Sequence, residues 1–133
     1  MTQLEYACRL IASPGGKDYG SITVFVHYYA DTEIVRKVSK GNFRPVPKVD
    51  SALIKITPLP APRYACDEAV LFALVRAAFS KRRKKIINSL LDNNIFKDKN
   101  EIIYTLKKAA ISPDLRAEDL STEDYVKIAN NIP

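Results

Sequence analysis

The sequence predicts two parts of different class, an α/β segment over residues 1–59 and a small all-helical domain over residues 60–133. Three observations predict this. Glu33–Val38 and Ala52–Thr57 carry strand-like patterns on either side of a proline loop. Pro58, Pro60 and Pro62 then make a stiff connector. Every patterned segment after that connector has helical spacing.

The first patterned segment is residues 1–12, where Leu4, Ala7, Cys8 and Ile11 recur at helical spacing. Ser13-Pro14-Gly15-Gly16 stops it and opens a loop through Gly20. Ile22–Ala30 is too apolar for periodicity to decide between helix and strand. A helix is favoured because Ser21 stands where a cap would, although the β-branched residues argue for a strand. In the second strand, Leu53, Lys55 and Thr57 alternate with Ala52, Ile54 and Ile56, as in a strand exposed on one face. The two strands are expected to pair antiparallel. Gly41–Lys48 between them is expected to be irregular, because Pro45 and Pro47 lack backbone donors.

In the second part Asp67 opens a helix with Val70, Leu71, Leu74, Val75, Ala78 and Phe79 on its apolar side. Ser80 is read as the cap of the next helix, running to about Leu91 with Ile86, Ile87, Leu90 and Leu91 buried. A third helix is expected from about Asn100 to Ala110, ahead of Pro113. A fourth runs from Ser121, where Ser-Thr-Glu-Asp resembles a capping box, to about Asn130.

Hydrophobic residues make up 47% of the 133 and charged residues 27%, an ordinary globular balance. No apolar run approaches the roughly 18 residues of a membrane span, and residues 1–10 lack the apolar core of a signal peptide. Cys8 and Cys66 read as free thiols in a reducing cytoplasm, since neither has metal-ligand spacing. Lone His27 reads as a packed or partly exposed residue, and no metal site is expected.

The net charge of +6 suits a nucleic-acid partner without requiring one. Residues 60–133 hold thirteen Lys and Arg against ten Asp and Glu, and five of those cations are consecutive, Lys81-Arg82-Arg83-Lys84-Lys85. If Ser80 caps a helix, the run occupies its first turn. The helix dipole disfavours each cation there by a few tenths of a kcal/mol, so a bound phosphate is the natural compensation. The plain alternative is a solvated basic face. In Phe43–Ser51, alternating prolines hold Phe43 where it could stack on a nucleobase, with Arg44 and Lys48 meeting phosphate. Its plain alternative is a stiff connection whose Phe packs into the core. Arg116–Ser121 reads as a structural turn in which Arg116 pairs with a neighbouring acid and Leu120 docks.

Taken together the strings resemble the dimethyladenosine transferase family, which methylates two adjacent adenines of small-subunit ribosomal RNA. The resemblance rests on Met1–Ala7 with Arg9-Leu10, on Asp18-Tyr19-Gly20, and on Phe43 through Ser51. It rests also on Ala77–Lys84 with Asn88 and Leu90, and on Arg116-Ala117-Glu118 with Leu120. It covers essentially the whole chain. Related antibiotic-resistance methylases of large-subunit RNA share the proline string more loosely.

The resemblance implies that residues 1–59 are the C-terminal remnant of a Rossmann-like methyltransferase sheet, whose two strands belong at the edge of a larger, mostly parallel sheet. It implies that Phe43, with Pro45 and Pro47, borders the flipped adenine. Arg44, Lys48, Lys81, Arg82, Arg83, Lys84 and Lys85 would contact RNA of the small ribosomal subunit. The family's methyl donor is S-adenosylmethionine, and extrusion of the base places its poorly nucleophilic amine beside the donor.

This sequence departs from the family in lacking the glycine-rich cofactor turn, the acidic ribose position and the Asn-Leu-Pro-Tyr-type motif. Those are expected upstream of Met1. The chain therefore reads as a truncated or fragmentary family member, with no catalytic residue and no cofactor bound to it. An exposed sheet edge would invite self-association. The alternatives are a non-catalytic RNA- or ribosome-binding module and a structural protein without a nucleic-acid partner.

Overall fold

The computed structural model describes all 133 residues. It opens with strand β1 (Thr2–Gln3), followed by helix α1 (Leu4–Ile11), helix α2 (Ser21–Tyr29) and strands β2 (Ala30–Val38) and β3 (Ser51–Pro58). Four helices complete it: α3 (Glu68–Phe79), α4 (Ile86–Leu91), α5 (Lys99–Lys108) and α6 (Thr122–Asn130). No helix is long and apolar enough to cross a membrane.

The three strands form one sheet in the order β1-β3-β2. β2 and β3 pair antiparallel as expected, from Ala30 opposite Pro58 to Val38 opposite Ser51, with an irregularity between Ile34 and Arg36. β1 pairs antiparallel with β3 through only two residues, Thr2 with Ala52 and Gln3 with Ser51. Residues 2 and 3 are therefore strand, where the sequence suggests helix, because their partner is supplied by tertiary structure. The helix-bearing face of the sheet buries Ala30 and Ala52, whereas Leu53 on the other face is 44% exposed.

α1 buries Ala7 and Leu10; Leu4 and Cys8 are half-buried and Ile11 is exposed, so its inner face is rotated from the expected stripe. α2 is a helix, but its N-cap is Gly20, not Ser21. The Thr23 hydroxyl accepts from the Gly20 amide at 3.1 Å and donates to the Arg9 carbonyl at 2.5 Å. The 39–50 loop begins with a single 3-10 turn at Lys40–Asn42, where fully irregular backbone is expected. Ser39 and Asp50 side chains satisfy its first amides.

The core continues from Tyr19, Val24 and Tyr28 into Leu71, Leu74, Leu90, Leu106, Tyr125 and Ile128 without a break. Asp67 caps α3 by accepting from the Ala69 and Val70 amides. Ser121 and Asp124 form the reciprocal cap of α6 at 3.0 and 3.1 Å. α5 is capped by Asp98, which is not among the caps read from the sequence, and is followed after its C-cap Ala109 by Ala110 with a φ of 59°. There the Ile111 amide reaches the Leu106 carbonyl at 2.9 Å, closing the last turn. Leu91 is 39% exposed instead of buried.

Contrary to the expectation from sequence, Ser80 does not cap the second helix of this part. It terminates α3, with its hydroxyl donating to the Ala77 carbonyl at 2.6 Å. Lys81–Lys84 form a turn, and the next helix begins only at Ile86. The basic run thus lies between the C-terminus of the 12-residue α3, where the dipole favours cations, and the N-terminus of the six-residue α4, whose cap is Lys85. None of the five cations stands within the first turn of a helix, where the penalty is expected. The Ser89 hydroxyl, donating to the Lys81 carbonyl at 3.1 Å, and the Ile86 amide, donating to the Leu115 carbonyl at 2.6 Å, hold the turn in place.

Candidate nucleic-acid interface

The proline loop builds the first part of the site. Pairing of Ser51 with Gln3 and Val38 anchors its end, and the Asp50 carboxylate accepts from the Lys40 amide at 2.9 Å. These ties bring Phe43 back over β1. The Arg44–Pro45 peptide is cis. Phe43, Arg44, Pro45 and Pro47 line an open cleft of about 360 Å³ together with Met1–Gln3 and Ser51. Phe43 is half-buried and lies outside the hydrophobic core, so the core-packing alternative does not describe it. An aromatic face beside a guanidinium in a cleft of this size can receive a planar base.

On the other side of the same loop lies a groove of about 440 Å³ that contains Lys17, Lys40 and Lys48. Arg36, Lys37, Lys40, Arg44 and Lys48 are all exposed, no acid interrupts them, and none forms an ion pair. Arg36, Lys37, Lys40 and Lys17 are not among the cations singled out from the sequence, which are those of the proline string and of the run Lys81–Lys85. A count of charge over residues 36–48 would have found three of them.

The basic run is different. Lys81 pairs with Asp92, and Lys85 donates to Asp114 at 2.9 Å. The Arg82 guanidinium donates to Glu118 at 3.0 Å and to the Lys17 carbonyl, tying the 13–20 loop to the 116–121 turn. Arg83 and Lys84 alone form no ion pair. The expected partnership of Arg116 with a neighbouring acid is also corrected. Its backbone amide donates to Asp119 at 3.0 Å, while adjacent Glu118 turns to Arg82. Leu120 is fully buried as expected, and the Tyr125 hydroxyl donates to the Ala117 carbonyl at 2.6 Å.

The largest cavity, about 500 Å³, lies elsewhere, between α1, α2 and the start of α6. Tyr19, His27, Asp31 and Thr122 line it and no Lys or Arg does, so it lacks the charge to receive a phosphate. Burial pushes the Tyr19 phenol above its ordinary range. His27 is exposed at the rim with Nδ1 3.1 Å from the Thr122 hydroxyl oxygen. Desolvation, and then the charge of Arg63, lower its imidazole below the usual value.

The one double-glycine turn does not fit a methyl donor. Gly15-Gly16 follows a helix, and its Gly15 amide is already used on the Glu118 carbonyl at 2.7 Å.

Compared with solved structures, the fold is that of ribosomal RNA methyltransferases. A dimethyladenosine transferase from Plasmodium falciparum superposes with a TM-score of 0.78 at 24% identity, over 95% of this chain and 53% of that one. The 23S rRNA methyltransferase ErmE gives 0.63 at 24% identity, over 98% and 52%. The three antiparallel strands and their helices thus share the fold of about half of each of these Rossmann-like methyltransferases. The family profile described as "Ribosomal RNA adenine dimethylase" matches residues 1–133, and the chain belongs to that family. The "Ribosomal RNA small subunit methyltransferase A" of Clostridium botulinum strain Loch Maree is 45% identical over 99% of this chain. The "Probable ribosomal RNA small subunit methyltransferase A" of Methanosarcina acetivorans is 42% identical over 98%. The chain spans about half the length of these relatives, 48% and 49%.

Proposed function

We propose that this chain is the RNA-engaging C-terminal part of an S-adenosylmethionine-dependent adenine dimethyltransferase. Its substrate is two adjacent adenines of small-subunit ribosomal RNA, during ribosome biogenesis in the cytoplasm. The methyl-donor site and the groups that grip the adenine amine are supplied outside these residues, and the chain alone is inactive. Residues 1–59 are the edge of the catalytic domain and residues 60–133 an RNA-contacting helical domain.

The observation that carries this reading is the Phe43 cleft, where an aromatic ring outside the core stands with Arg44 beside a loop of unpaired cations. The ring holds the extruded base while the cations meet phosphate. Among the C-terminal cations, Arg83 and Lys84 take the RNA role, since Lys81, Arg82 and Lys85 are held by acids.

Two titrations test the reading. Ribosomal RNA affinity should fall steeply between about 50 and 200 mM salt; binding indifferent to salt would refute the RNA role. S-adenosylmethionine should give no saturable heat with this chain, and a micromolar dissociation constant would overturn the claim that its site lies elsewhere. Self-association belongs to the same reading. β1 covers β3 only at Ser51 and Ala52, which leaves the backbone edge from Leu53 onward open to another strand. A clean monomer in sedimentation at millimolar concentration counts against it.

A further inference from the structure

The groove lined by Lys17, Lys40 and Lys48 adjoins both candidate RNA contacts. It shares the 39–50 loop with the Phe43 cleft, and Lys17 is tied through its carbonyl to Arg82 of the basic run. Three acids share its lining: Glu5 pairs with Arg9 at 3.1 Å, Asp50 accepts from the Lys40 amide at 2.9 Å and keeps its charge, and Asp18 forms no ion pair. None of the three lysines forms an ion pair.

We propose that Lys17, Lys40 and Lys48 form a path for the sugar–phosphate backbone of a single RNA strand, joining the Phe43 cleft to Arg83 and Lys84. The inference rests on the RNA-binding reading above and extends it from two separate contacts to one continuous strand. The strand is single because the cleft takes an unstacked base and the groove offers mobile point charges, which follow a backbone without demanding helical geometry. Binding of the two ends then becomes mutually reinforcing, because the second contact is made within one complex.

The test uses this chain with oligoadenylates of about 4 and about 16 nucleotides, the range that single-strand-binding folds cover. Lys17→Gln with Lys40→Gln removes two cations and leaves the Lys17 carbonyl in place. For the longer strand, the slope of log affinity against log salt should shrink by about 1.4, and affinity should fall about 10- to 30-fold at about 0.1 M salt. Affinity for the shorter strand should change less than about twofold, because it cannot span both contacts. The Lys17→Arg, Lys40→Arg pair keeps the charge and should keep both affinity and slope. An unchanged slope in the glutamine pair overturns the path, and so does a loss in the arginine pair equal to that of the glutamines. If Arg83→Ala with Lys84→Ala weakens binding while the glutamine pair does not, only the path falls. If the unaltered chain binds neither strand with salt dependence, the RNA reading falls with it.

Discussion

Residues 36–48 and residues 81–85 each hold five cations, and the two sets behave differently. In the first, all five are exposed and unpaired. In the second, three are held by Asp92, Glu118 and Asp114, leaving Arg83 and Lys84. The run that is conspicuous in the sequence is mostly structural, and the dispersed set carries more available charge. Availability for phosphate depends on what already neutralises a cation, and surface pairs worth little in stability still reduce the local field.

The largest effect expected from this contrast comes from neutralising Lys40, Arg44 and Lys48 to Gln together. RNA affinity should fall about 100-fold at about 0.1 M salt, with the salt slope reduced by about 2. Neutralising Lys81 and Lys85 should change affinity less than about threefold. Equal losses in the two variants, read by filter binding, would abolish the contrast.

Arg83→Ala with Lys84→Ala comes next. It should reduce the salt slope by about 1.4 and leave unfolding free energy within about 0.5 kcal/mol. A large loss of stability in urea titration would mean that these two are structural as well.

Arg82→Ala should do the reverse. It removes bonds to Glu118 and to the Lys17 carbonyl, and Arg82 is partly exposed. The cost should be about 1 kcal/mol, a melting temperature lower by about 3–5 °C. An unchanged melting curve would place Arg82 with the spare cations and make the two segments more alike.

The smallest effect tests the rim of the cavity between α1, α2 and α6, away from both cation sets. The His27 imidazole is held below its ordinary value, first by desolvation and then by Arg63. The unfolded chain therefore binds the proton more readily than the folded one. This contribution to stability is complete above about pH 6.5 and is lost as pH falls through the lower folded value. His27→Gln should flatten the stability profile in that acidic window, as followed by thermal melts between about pH 5 and 7. A profile unchanged by the substitution would remove His27 from the account.

Much of the fold was legible because it depends on neighbours in sequence. The spacing of Leu71, Leu74, Val75 and Ala78 marked α3, and Asp67 and the Ser121–Asp124 pair marked two helix starts. Phe43 and Arg44 were legible as a candidate contact from the proline string alone, and the structure brings them into one cleft. Ser80 was misread because a serine between two helical patterns can end the first or begin the second. Its hydroxyl was claimed by the Ala77 carbonyl behind it. β1 was unreadable because two residues acquire strand geometry only from a partner about fifty positions away.

By itself the sequence determined the helices, the strand pair, the rigid proline loop and the family resemblance, all of which follow from local pattern. Only the tertiary structure decided which cations remain available. The acids that engage Lys81, Arg82 and Lys85 lie 11, 36 and 29 residues along the chain. Coulomb attraction acts over distances of a few ångströms in space and is indifferent to separation in sequence. The same packing laid Lys17 beside the proline loop and against Arg82, joining two segments that the sequence presents as unrelated.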